Sequence, residues 1–221
     1  VAGGIFGGSL YFFTENTALG ITQASNVSFI ICTAPLLTTI LSLLFYKSEK
    51  ASKGLIYGSL LALMGVGLIV FNGSFVLKIS PIGDLLTLLA ALSWAFYSLI
   101  IKKMAGRYPT IFITRKIFFY GVLTILPAFL LHPLHPDTAV LLQPAVLFNL
   151  LFLAVLASLI CYVLWNVVLK QLGTVRASNY IYLNPLVTMI ASFLILDEKI
   201  TLVALGGAAC IVCGVYWAEK K

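Results

Sequence analysis

Charged side chains are scarce in this sequence: Asp, Glu, Lys and Arg together make up 10% of 221 residues, against 61% hydrophobic. A soluble domain carries about 25% charged and roughly 45–50% apolar residues. This chain therefore cannot cover a soluble surface, and its mean hydropathy of +1.08 makes it an integral membrane protein. Acids are the scarcer sign, 7 against 14 Lys and Arg. Between Val1 and Tyr46 the single charged side chain is Glu15, within "TENTALG" (14–20). An excess of 7 positive charges would point a soluble protein toward nucleic acid. Here the bases sit in short connections between apolar spans, where membrane orientation accounts for them, so no nucleic-acid partner is expected.

Reactive clusters are missing as well. Cys32, Cys161, Cys210 and Cys213 all lie inside apolar spans. Cys210 and Cys213 have redox-motif spacing but no neighbouring base to lower a thiol pKa, so they read as small helix-packing residues. His132 and His135 stand beside Asp137 among prolines, without the helix that would aim both imidazoles at one metal; neither a metal nor a cofactor is expected. Asp84, Asp137, Asp197 and Glu198 sit at span boundaries and do not converge, which argues against an intramembrane enzyme. "NVS" at 26 and "NGS" at 72 match the glycosylation sequon, a pattern frequent by chance. The opening "VAGGIFGGSLYFF" has neither Met nor a basic stretch and is no signal peptide. It reads as the interior of a longer chain.

What is present is a series of apolar runs. A spanning helix needs about 20 mostly apolar residues, and eight such spans are predicted: 1–20, 25–46, 54–72, 83–101, 115–131, 145–168, 176–196 and 201–218. The longest connection, 132–144, is turn-rich through its prolines. Twelve of the basic residues fall on one side (Lys47, Lys50, Lys53, Lys102, Lys103, Arg107, Arg115, Lys116, Lys170, Arg176, Lys220 and Lys221), and two, Lys78 and Lys199, on the other. The positive-inside rule makes the first side cytoplasmic, with both visible termini there.

The chain also repeats itself. Asn16 pairs with Asn166, Pro35 with Pro185, Thr38 with Thr188 and Ser42 with Ser192 at an offset of 150. Glu49 pairs with Glu198, Gly58 with Gly207 and Gly65 with Gly214 at 149. Pro35 lies in the second span and Pro185 in the seventh, an odd separation that inverts the second copy. Inverted repeats are a mark of secondary transporters, whose substrate site lies near the midplane where the copies meet.

On "ENTALGITQAS", "APLLTTILSLLFYKSE", "ASNYIYLNPLVTMIASFLILDEK" and the glycine-rich spans after each acid, the chain resembles the EamA-like branch of the drug/metabolite transporter superfamily. The resemblance implies an all-α bundle of ten helices in two inverted five-helix repeats. Residues 1–73 would be the last three helices of the first repeat and 82–221 the whole second repeat. On that pattern the N-terminal helix pair is missing here, and with it a helix that helps line the central cavity. The implied activity is export of amino acids, related metabolites or drug-like molecules across a cell membrane, for instance a bacterial inner membrane. Glu49 and Glu198 match the recurring acid at a helix end, with an anchoring role.

Candidate site residues follow from depth and type. Pro35 and Pro185 each remove a helical hydrogen bond, freeing the carbonyls of Ile31 and Ile181, and read as hinges beside a cavity. Asn184 shares a face with Tyr180; Trp94 and Tyr97 share one on the fourth span; Tyr162, Trp165 and Asn166 cluster on the sixth. As a set, rings with a few amides and hydroxyls suit an organic solute. Glu15 and Asn16 read as an outer vestibule, about 21 Å along the first span at about 1.5 Å per residue. The repeat sets Glu15 opposite Trp165, and proton coupling through Glu15 is left open. Gly3, Gly4, Gly7, Gly8, Gly54 and Gly58 have the spacing of close helix packing. With no acid deep in a span the interior suits neutral or zwitterionic solutes, and with no buried Lys or Arg it does not suit phosphates. The expected partners are thus a small-molecule solute and the lipid bilayer; a homodimer is left open, as is a non-transporting structural or partner-binding subunit.

Overall fold

In the computed structural model, residues 1–46, 52–71, 80–131, 138–196 and 200–220 are described, and all their regular structure is helical. Glu49, Glu198, Asp197, His132, His135, Asp137, Lys78, Lys199 and the sequon at 72 lie outside these residues. The helical rods are α1 (2–19), α2 (Ala24–Phe45), α3 (Lys53–Phe71), α4 (Pro81–Ala105), α5 (Thr110–Leu131), α6 (Pro144–Leu172), α7 (174–196) and α8 (Leu202–Glu219). A single turn, Thr138–Leu141, precedes α6.

Seven of the rods, α2 to α8, are long and apolar enough to cross a membrane. The expected first span, α1, is interrupted by Thr14, Glu15, Asn16 and Thr17 and falls short of that apolarity. Boundaries shift outward from the sequence reading where charged residues extend a helix: α4 runs through Lys102 and Lys103 to Ala105, and α5 begins at Thr110, ahead of Arg115 and Lys116. Long basic side chains keep their stems along the helix and their charges toward water, so they need not end a span. Large apolar side chains are exposed along the rods, among them Phe148, Ile195 and Leu202. In water that surface would aggregate; in hydrocarbon it is the expected exterior.

Two buried clusters hold the bundle. One joins Cys32, Ala62, Val66, Tyr182 and Ile211 from α2, α3, α7 and α8. The other joins Tyr97, Ile101, Ile113, Ile117, Tyr162 and Leu169 from α4, α5 and α6. The most extensive helix pair is α3 with α8. A Cβ at Gly58 would overlap the carbonyl of Gly214, and one at Gly65 the carbonyl of Gly207; the reverse substitutions meet the same backbones. Without side chains between them the helices approach to backbone contact, which is how apolar helices gain packing energy in lipid.

Both expected breaks are present. α2 divides into Ala24–Ile31 and Ala34–Phe45, with Pro35 in the first turn of the second piece. α7 passes through a 3₁₀ turn, Tyr180–Leu183, immediately before Asn184 and Pro185. A ring without an N–H clashes with the carbonyl four residues earlier, so the chain tightens or breaks just ahead of each proline.

Candidate functional site

α1 carries a π-helical turn, Ile5–Ser9, packed against both α5 and α4. Wider i→i+5 spacing leaves carbonyls accessible to other helices, and two are used. The Phe6 carbonyl accepts from Ser93 Oγ at 2.8 Å, and the Gly7 carbonyl from the Tyr162 hydroxyl at 2.6 Å. Gly7 also makes room for the Tyr97 ring, which a Cβ there would strike. Tyr97 is fully buried, and its hydroxyl donates to Asn166 Oδ1 at 2.7 Å. Asn166 Nδ2 in turn donates to Thr114 Oγ1 at 2.9 Å. α1, α4, α5 and α6 are thus tied by a satisfied polar network, the arrangement that makes buried polar groups tolerable in an apolar interior.

On the other side of these rings lies a cavity of about 610 Å³. Tyr11, Trp94, Trp165, Tyr180 and Asn184 line it, with Ile31 and Ala34 from the break in α2 and Ile181 from the break in α7. Trp94 is the hub: its ring centroid lies 5.1 Å from Tyr11, 5.1 Å from Tyr97, 5.8 Å from Tyr162 and 5.8 Å from Trp165. The Nε1 atoms of Trp94 and Trp165 are buried and have no hydrogen-bond partner among the described residues. Aromatic walls with a few spare donors are the usual make-up of a small-molecule site.

The expected residues therefore separate into two groups. Trp94, Tyr180 and Asn184 line the cavity, whereas Tyr97, Tyr162 and Asn166 stand behind it and bond to other helices. Pro35 and Pro185 are buried at the two breaks. Half-buried Glu15 accepts from the Tyr11 hydroxyl at 3.0 Å, one helical turn from the cavity wall. Asn16 is exposed; its amide donates to the Phe12 carbonyl at 2.8 Å, and it does not line the cavity. Tyr11 was missed by sequence reading, although its i, i+4 spacing to Glu15 was the available signal. Trp165, noted in the cluster on the sixth span but not selected, shares the cavity wall. Among the described residues no cluster of three or more His, Cys, Asp or Glu could hold a metal ion.

The EamA-like transporter family matches residues 1–71 and again residues 81–218. The chain belongs to that family. Its members are transporters, and this is an integral membrane transporter rather than an enzyme. An uncharacterized transporter of Archaeoglobus fulgidus is 30% identical over 217 residues, which is 97% of this chain and 73% of that protein. A probable amino-acid metabolite efflux pump of Escherichia coli is 24% identical over 205 residues, 90% of this chain and 69% of the pump. The fold also resembles a crystal structure of a protein with 20% sequence identity, at a TM-score of 0.80, covering 98% of this chain and 73% of the other.

Proposed function

We propose that this EamA-like transporter carries neutral, zwitterionic organic solutes of the amino-acid class outward, by alternating access around the aromatic cavity. The observation that supports this most is the cavity itself: an aromatic chamber placed where both proline-broken helices meet it. Aromatic faces attract an ammonium group. The amide of Asn184 and the hydroxyl of Tyr180, both exposed on the cavity wall, are donors suited to a carboxylate. Among the described residues no Lys, Arg, Asp or Glu lines the chamber, so a solute with no net charge fits it best. The efflux-pump relatives favour the same class and the outward direction.

Inverted repeats supply the motion in this reading. The repeat sends Gly58 to Gly207 and Gly65 to Gly214. The contact Gly58–Gly214 then becomes Gly207–Gly65, which is the second contact seen between α3 and α8. A pseudo-two-fold axis between those helices would have this property, and the family matches the chain in two segments, one holding α3 and the other α8. Rocking about the α3–α8 contact, with α2 and α7 bending at Pro35 and Pro185, opens the cavity to one side at a time. The basic ends, and hence both termini, face the cytoplasm of a bacterial cell. In this reading Glu15, one turn outside the cavity and bonded to Tyr11, is the group that would couple solute movement to a proton.

The test is reconstitution of the full-length protein in liposomes and measurement of counterflow with radiolabelled phenylalanine, leucine and threonine, alone and with Asn184→Ala. Flux of at least one amino acid that falls roughly tenfold in the variant supports the reading. Absence of flux for all three overturns it.

A further inference from the structure

A second cavity, of about 320 Å³, opens at the end of the molecule that carries Arg176 and Lys220. Thr39, Thr174, Arg176, Glu219 and Lys220 line it together with Leu172. Leu172 also lines the aromatic cavity, so one side chain stands on the wall of both chambers. It precedes Gly173, whose φ of 80° turns the chain from α6 into α7. A side chain at that φ would be strained, and glycine makes the sharp corner accessible.

Thr174 and Glu219 on the cavity wall, and a set of polar side chains packed behind it, have atoms with no partner among the described residues. Thr174, Ser178 and Asn179 are fully buried, and neither the two hydroxyls nor either amide atom of Asn179 has a hydrogen-bond partner among the described residues. Thr174 and Ser178 are one turn apart on α7. Across from them on α2, the hydroxyl of fully buried Thr38 likewise has no partner among the described residues, nor does buried Oε1 of Glu219 on α8. Interiors rarely leave so many polar groups unsatisfied in one place. Such a seam is built to meet a polar guest, and the mouth offers both signs: Arg176 and Lys220 for a carboxylate, Glu219 for an ammonium.

We propose that this cavity is a second binding site, where a zwitterionic amino acid is loaded before it enters the aromatic chamber, with Leu172 as the partition between the two. The inference rests on the transport reading above and extends it to an entry site. Carboxylate recognition falls to Arg176, with Lys220 beside it; the ammonium group pairs with Glu219; the hydroxyls of Thr39 and Thr174 line the way in. Movement of α7 at the Gly173 corner carries Leu172 aside.

The experiment uses the full-length protein in liposomes, radiolabelled phenylalanine as probe, and presentation of the solute to one face at a time. Arg176→Gln and Glu219→Gln are expected to raise the half-saturating concentration roughly fivefold on the face bearing these residues and less than about twofold on the other. Leu172→Trp is expected to cut flux about tenfold while the solubilised protein still binds phenylalanine in equilibrium dialysis. Equal changes on the two faces, no change on either, or undiminished flux in Leu172→Trp overturns the entry site while leaving transport intact. A wild-type protein that carries no phenylalanine yet carries leucine or threonine is tested identically with that solute. Absence of all flux overturns both readings together.

Discussion

α3 and α8 meet backbone to backbone through paired glycines, whereas α2 and α7 meet across hydroxyls and an amide, each helix broken before a proline. All four helices belong to the repeated stretch, so similar sequence has produced one dry, close contact and one polar, interrupted contact. Small residues maximise dispersion between helices that lipid would otherwise solvate equally well. Proline and unsatisfied polar groups do the reverse, lowering the cost of separating the surfaces they occupy. The first pair suits an axis and the second a moving wall.

Substitution at the glycine contact gives the largest expected effect. Gly58→Leu forces a side chain onto the Gly214 backbone and is expected to cost about 3 kcal/mol or more, read as lost thermal stability in detergent and poor recovery of folded protein. Tolerance of this change would break the contrast between the two pairs. Next comes Asn166→Ala, which strands the Tyr97 hydroxyl in the network behind the cavity, while Thr114 keeps its bond to the Thr110 carbonyl. A loss of about 1–3 kcal/mol is expected, seen in thermal unfolding, with the half-saturating solute concentration little altered. The opposite pattern, changed affinity at unchanged stability, would return Asn166 to the binding group.

Asn184→Ala should divide the two properties the other way. Its side chain is exposed to the cavity, so thermal stability is expected to hold within about 0.5 kcal/mol while flux falls. Glu15→Gln is expected to flatten the pH dependence of flux if the carboxylate carries the coupled proton. A shifted affinity with an unchanged pH profile would instead make it a vestibule residue that acts on Tyr11. The smallest effect belongs to Gly206→Ala, one residue from the contact position Gly207. Among the described residues nothing beyond its own stretch of helix lies within 4 Å of the added methyl, and stability is expected to hold within about 0.5 kcal/mol or rise slightly. A large loss there would show that α3 and α8 pack on a broader face than the glycines define.

Much of this was legible in residue order because bilayer constraints act locally. Thickness sets span length, scarce charge sets what can be buried, and the repeated prolines at 35 and 185 announce a break, so α2 to α8 and both interruptions were readable in advance. Pro127, which has no repeat partner among these pairs, lies inside unbroken α5. The repeated Asn, Pro and Gly positions named the family before any helix was placed. Repeat pairing failed to rank side chains. It set Asn16 level with Asn166, yet the first is exposed and bonds to its own helix, while the second is fully buried and links α4 to α5.

The sequence by itself determined the membrane class, the helical spans, the transporter family and the positions where helices bend, since each follows from composition or from neighbours on one helix. Tertiary structure alone decided which rings face the chamber and which stand behind it. A helix turns about 100° per residue, so a small change in phase, such as the π turn at Ile5–Ser9, redirects every side chain after it. It also decided that Leu172 borders two cavities and that buried Thr38, Thr174, Ser178 and Asn179 share one seam without partners among the described residues. Those relations depend on how α2, α6 and α7 pack against one another, and no spacing along the chain encodes them.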